Sequence, residues 1–135
     1  MTCYAYDDLN SWRSDYPVEV FEEQIKKLCE GWEKGLALLE NEPECETVIM
    51  ARAAYAIYKS SLNQIRFIRA RDAGDRKTAL AAAKDELEMS RLMLEYMNKN
   101  AAIGYEAANH YYFSKGQLAE KIVNCNYIIN KFQKD

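Results

Sequence analysis

Glycine and proline are scarce in this chain, with 5 and 2 among 135 residues. An all-β fold with many tight turns draws heavily on both, so that class is excluded. Histidine occurs once, at His110, and the 4 cysteines (Cys3, Cys29, Cys45, Cys125) have no C-x-x-C spacing. That set is too sparse for a zinc site, and no motif calls for a cofactor. The thiols read as free, although an even count also permits a disulfide. No apolar run approaches the ~20 residues of a spanning helix, so no membrane segment is expected. The net charge of −3 gives no electrostatic case for binding nucleic acid or an anionic membrane. The N-terminus, MTCYAYDDLN, lacks the basic and apolar regions of a signal peptide, which leaves localisation open and favours the cytoplasm.

What is abundant is helix former. The chain is 49% apolar and 29% charged, a globular balance, and its length suits a single domain, 1–135. Apolar spacing predicts four helices, at about 17–40, 43–72, 76–99 and 115–133. The first carries Val18, Phe21, Ile25, Leu28 and Trp32 behind Pro17, a good first-turn residue. The second, opened by Pro43, is apolar over a wide arc and so should meet more than one neighbour. Gly74 suits a left-handed C-cap and Asp75 the next N-cap. The third helix carries Leu80, Ala83, Leu87, Leu94 and Met97, with Ser90 breaking the stripe. Ser114 and Gln117 fit a capping box before Leu118, Ile122, Cys125, Ile129 and Phe132. Short links make the first three helices antiparallel neighbours, so the expected fold is an all-α, four-helix antiparallel bundle. Residues 1–16 hold Tyr4, Tyr6, Trp12 and Tyr16 without a sustained helical period. Those rings are expected to cover one end of the bundle or to meet another domain.

A long aromatic loop separates the third and fourth helices. Gly104–Phe113, GYEAANHYYF, gathers Tyr105, Glu106, Asn109, His110, Tyr111, Tyr112 and Phe113. Loops of that length in compact domains are often functional. Sealing the core end is the commoner use of such rings, with Asn109 and His110 bonding loose backbone groups. The functional alternative is a binding surface, in which rings stack on sugars or partner side chains and polar groups fix hydroxyls. Glu106 and His110, four apart, would share a helix face and are capable of acid–base work. No marked nucleophile or further ligand accompanies them, so no catalytic and no metal residue is assigned.

Three other features stand out. Ser60, Ser61, Asn63, Gln64 and Arg66 form a polar cluster within the second helix, expected to be partly exposed. Arg66, Arg69, Arg71, Arg76 and Lys77 crowd the next turn, where Asp72, Asp75, Asp85 and Glu86 dilute their charge. Gly31 and Gly35 flank Trp32 at a spacing that at most admits a close neighbour.

Two passages, KSSLNQIRFIRARDAG (59–74) and NAAIGYEAANHYYFSKGQLAEKIVNCNYII (100–129), carry a family resemblance. They resemble the helical C-terminal region of large bacterial proteins related to glycoside hydrolases. That pattern has an NQxRF-like helix, an acidic Leu-rich helix, a segment like IGFEASNHYYY and a closing helix like LxEKVxNCxYLL. The chain matches it at Asn63, Gln64, Arg66 and Phe67. It matches again at Gly104, Glu106, Asn109, His110, Tyr111, Glu120, Lys121, Asn124, Cys125 and Tyr127. The likeness spans roughly residues 44–132 and is most specific in the second passage.

The resemblance implies a non-catalytic accessory domain that follows a barrel-type carbohydrate-active domain. A barrel needs ~200–250 residues, so this chain reads as a domain excised from a larger protein. No catalytic residue carries over. The implied partners are carbohydrate or an adjacent catalytic domain. Residues 104–113 would be the sugar- or domain-facing surface, with Tyr105, Glu106, Asn109, His110, Tyr111, Tyr112 and Arg66 as its binding residues. A small protein–protein interaction module or homodimer, with no carbohydrate role, is the alternative.

Overall fold

The computed structural model describes residues 8–104 and 113–134, and all five helices lie within them. They are α1 (Leu9–Arg13), α2 (Val18–Ala37), α3 (Glu46–Asp72), α4 (Arg76–Lys99) and α5 (Lys115–Lys134). No strand occurs among the described residues, so the fold is all-helical. Each helix packs closely on the next one in sequence: α1 on α2, α2 on α3, α3 on α4 and α4 on α5.

Local chemistry sets the boundaries. Gly74 stands at φ +72°, where only glycine is unstrained, and Asp75 accepts from the Thr78 backbone N–H at 3.1 Å. Ser114 and Gln117 form the expected capping box. The Gln117 backbone N–H donates to Ser114 Oγ at 3.3 Å, and the Ser114 N–H donates to Gln117 Oε1 at 2.7 Å. The prolines sit earlier than the sequence suggests. Pro17 is the N-cap of α2 at φ −54°, and Pro43 lies in an extended link ahead of α3, whose N-cap is Cys45.

The N-terminal region contains a short helix that its aperiodic sequence did not signal. Asp8 caps α1 by accepting from the Ser11 N–H at 3.2 Å. Leu9 and Trp12 then join a cluster with Val18, Phe21 and Ile25 of α2 and Ile65, Phe67 and Ile68 of α3. Tyr16 stays exposed, while Tyr4 and Tyr6 lie outside the described residues.

The largest cluster joins Ile49, Ala53 and Ala56 of α3, Met89, Met93 and Met97 of α4, and Ile103 and Leu118. Helix α3 buries residues toward several neighbours, as its wide apolar arc implied. The α2 interface is tied by Trp32, whose Nε1–H donates to the Ala51 carbonyl at 2.8 Å and whose ring meets Tyr58 edge-on at 5.2 Å. Gly31 and Gly35 have nothing within 4 Å of where a Cβ would stand, so among the described residues no neighbour makes use of their spacing.

Helix α4 corrects the sequence reading most. Its buried line is Ala79, Ala82, Ala83, Glu86, Met89, Ser90, Met93 and Met97, with Leu80, Leu87 and Leu94 on the flank. The leucines drew the expected stripe to one side, because alanine, methionine and two polar residues hold the true centre. Glu86, counted in the sequence only as diluting the basic turn, is therefore a carboxylate on a buried face.

Candidate functional site

The side chains of α3, α4 and α5 enclose a groove of about 730 Å³. That lies within the span of small-ligand clefts, roughly 300–1,000 Å³. Helix α4 supplies the floor through Ala82, Ala83, Glu86, Met89, Ser90 and Met93. Ile57, Ser60, Gln64 and Phe67 of α3 form one wall, and Lys121, Asn124, Cys125 and Ile128 of α5 form the other. Phe113 and Leu118 line the same groove beyond Met93.

A polar layer crosses the groove at mid-length, with Ser60 and Asn63 from α3, Glu86 from α4 and Lys121 from α5. Ser60 Oγ donates to Glu86 Oε1 at 2.7 Å, and Asn63 Nδ2 lies 3.5 Å from Glu86 Oε2. Lys121 Nζ forms an ion pair with Glu86 and donates to Ser60 Oγ at 3.0 Å. Asn63 is 1% exposed and Glu86 8% exposed, so the sequence expectation of partial exposure fails at Asn63. A buried carboxylate is tolerable when paired and hydrogen-bonded, and Glu86 meets both conditions. Ser90, one helical turn along α4, is 3% exposed and its Oγ has no hydrogen-bond partner among the described residues.

Apolar layers flank the polar one. Toward one end lie Met89, Met93, Leu118 and Phe113, and toward the other Phe67, Ile68 and Ile128. The Phe67 and Phe132 rings meet at 5.9 Å, and Arg76 lies over Phe132 while donating to its carbonyl at 2.9 Å. The groove carries no marked nucleophile. Burial first, and the Glu86 charge second, push the Cys125 thiol up, against the opposing effect of Lys121. A thiol held in its neutral form packs rather than attacks. Among the described residues no three His, Cys, Asp or Glu side chains stand together as a metal site would require.

Tyr105, Glu106, Asn109, His110, Tyr111 and Tyr112 lie outside the described residues. The ends of that segment are described. Gly104 has φ +88°, and a Cβ there would stand 2.7 Å from the Phe113 carbonyl oxygen, so the chain closes on itself at this point. Arg66 lies on the α2 side of α3, where its Nε is 3.3 Å from Glu22 Oε1. Arg69 pairs with the same Glu22 and with Glu19, and Arg71 with Asp72 at 2.8 Å. Arg66 and Arg69 thereby fasten α3 to α2, and Arg69 and Arg71 stand in the last turn of α3, where cations complement the helix dipole.

Sequence reasoning missed Glu86, Ser90 and Lys121 as groove residues. One signal was present: Glu86 and Ser90, four apart, interrupt a row of Ala and Met that is otherwise apolar. The two passages that carried the family resemblance also meet here. Asn63, Gln64 and Phe67 from the first line the groove, as do Glu120, Lys121, Asn124 and Cys125 from the second. In the comparisons with known proteins, no family model, curated protein or solved structure matches this chain.

Proposed function

We propose that the chain is a non-catalytic helical accessory module of a bacterial carbohydrate-active, glycoside hydrolase-like protein, and that its groove is the working surface. The observation that supports this most is convergence: two passages far apart in sequence line one groove around a shared polar layer. Core packing alone would favour an apolar layer there, since a buried ion pair is weak support for stability. Helices α2, α3, α4 and α5 are read as an antiparallel four-helix arrangement left open between α3 and α5, with a long aromatic connection before α5. The sugar- or domain-facing role stays proposed for 104–113, whose two described ends, Gly104 and Phe113, adjoin each other.

Titrating ¹⁵N-labelled protein with cellopentaose and maltopentaose tests the sugar-facing role. Amide shifts at Ser60–Phe67, Glu86–Met93 and Lys121–Cys125 are expected with at least one. The carbohydrate reading fails if neither sugar moves any amide in the chain.

A protein–protein interaction module is the second reading, favoured by one feature. Val123 and Tyr127, four apart on α5, are each 66% exposed. Light scattering after size exclusion distinguishes them: a dimer that Tyr127→Lys dissolves supports self-association through that face, and a monomer counts against it.

A further inference from the structure

We infer that the groove takes an uncharged amphiphilic ligand, a glycoside or polyol bearing an apolar substituent, with one of its hydroxyls bound by Ser90 Oγ. The inference rests on the proposal that the groove is the working surface, and it adds the chemistry of what lies there.

Ser90 carries the argument. Its hydroxyl has a donor and two acceptor lone pairs, it is 3% exposed in the groove floor, and it meets no partner among the described residues. Buried polar atoms left unsatisfied are costly and rare, so such an atom on a residue that lines the groove marks the place of a missing partner. A ligand hydroxyl both gives and accepts, which matches a serine with both capacities free.

Charge then narrows the class. Glu86 and Lys121 form an ion pair at the groove, where Glu86 also accepts from Ser60 and has Asn63 Nδ2 at 3.5 Å. An anionic ligand would compete with Glu86 for Lys121, and a cation would compete with Lys121 for Glu86. Either would leave a buried charge without its partner. A neutral ligand disturbs neither. The apolar layers on both sides of the polar one provide for the apolar part, and the flexible thioethers of Met89 and Met93 allow it to vary in shape.

The test uses octyl β-D-glucopyranoside below its micelle-forming concentration, with octanoate and octylammonium as charged probes of equal chain length. The glucoside should shift the amides around Ser90 and Lys121 and bind at least tenfold more tightly than either ion. Ser90→Ala should raise the melting temperature of the free protein, since an unmet hydroxyl is removed, and weaken the glucoside about three- to tenfold. Ile57→Trp, at a groove-lining position 42% exposed, should keep the fold and block the probe. Equal or tighter binding of octanoate or octylammonium overturns the ligand class while leaving the groove as working surface. An affinity unchanged by Ser90→Ala overturns the anchor. If neither the three probes nor cellopentaose and maltopentaose shift any groove amide, the working-surface proposal fails as well.

Discussion

Glu86 and Lys121 together form the polar layer's charged half, and their energetics belong to the pair rather than to either side chain. Removing Lys121 alone leaves a buried carboxylate supported, among the described residues, by Ser60 and Asn63. Lys121→Met should destabilise by about 2–3 kcal/mol, below the ~3–5 typical of a fully buried pair because part of the Lys121 side chain is exposed. Adding Glu86→Leu should restore most of that loss, as read from urea midpoints of both variants. The thiols give a second expectation. Burial pushes Cys29 and Cys125 up, while Cys45 is exposed, so iodoacetamide at pH 8 should label Cys45 well before the other two. A raised thiol keeps its proton in the folded chain after the unfolded chain has lost it. Its contribution is full below the ordinary thiol value of about 8.5 and fades as pH rises through the raised value. Urea midpoints should therefore fall between pH 8 and 10, less steeply in Cys125→Ala. None of this pairing was legible in the sequence. A charged residue amid alanines reads as solvated surface unless the partner from another helix is known.

At the scale of elements, the joints between helices were the most legible feature. Gly74, Asp75, Ser114 and Gln117 are local devices, and their geometry follows from their own side chains and φ preferences. The rotation of α4 was not legible, because leucine spacing is a weaker guide than the neighbours a helix meets. The five-residue α1 was also invisible, being too short to show a period. The Asp75 carboxyl is held below its ordinary range by the Thr78 side-chain and backbone hydrogen bonds. Its capping contribution is complete above the unfolded value of about 3.9 and is lost as pH falls through the lowered one. Acid titration followed by amide exchange at the start of α4 should show fraying there, and Asp75→Asn should remove that pH dependence. Gly104 is the other joint that only one residue type can fill. Gly104→Ala combines a left-handed backbone with overlap on the Phe113 carbonyl, and should cost about 1–3 kcal/mol in thermal unfolding.

At the scale of the molecule, composition and periodicity were enough to establish an all-helical chain, and scarce glycine and proline excluded the main alternative. They did not reveal the groove. Apolar spacing shows which face of a helix avoids water, but not whether that face meets a helix or an open cleft. Ile57 illustrates the limit: it belongs to the apolar arc of α3 and is 42% exposed at the groove. The segment 104–113 drew attention because its rings and lone histidine are conspicuous in sequence. The groove residues are spread over three helices, and only the fold brings them together. The central claim is that this groove is where the chain does its work. Its most direct test is amide shift mapping with octyl β-D-glucopyranoside, cellopentaose and maltopentaose on wild-type and Ile57→Trp protein side by side. The account predicts wild-type shifts confined to the groove faces of α3, α4 and α5, and their loss in Ile57→Trp. Shifts centred instead on Val123 and Tyr127, or unchanged by the tryptophan, would contradict it.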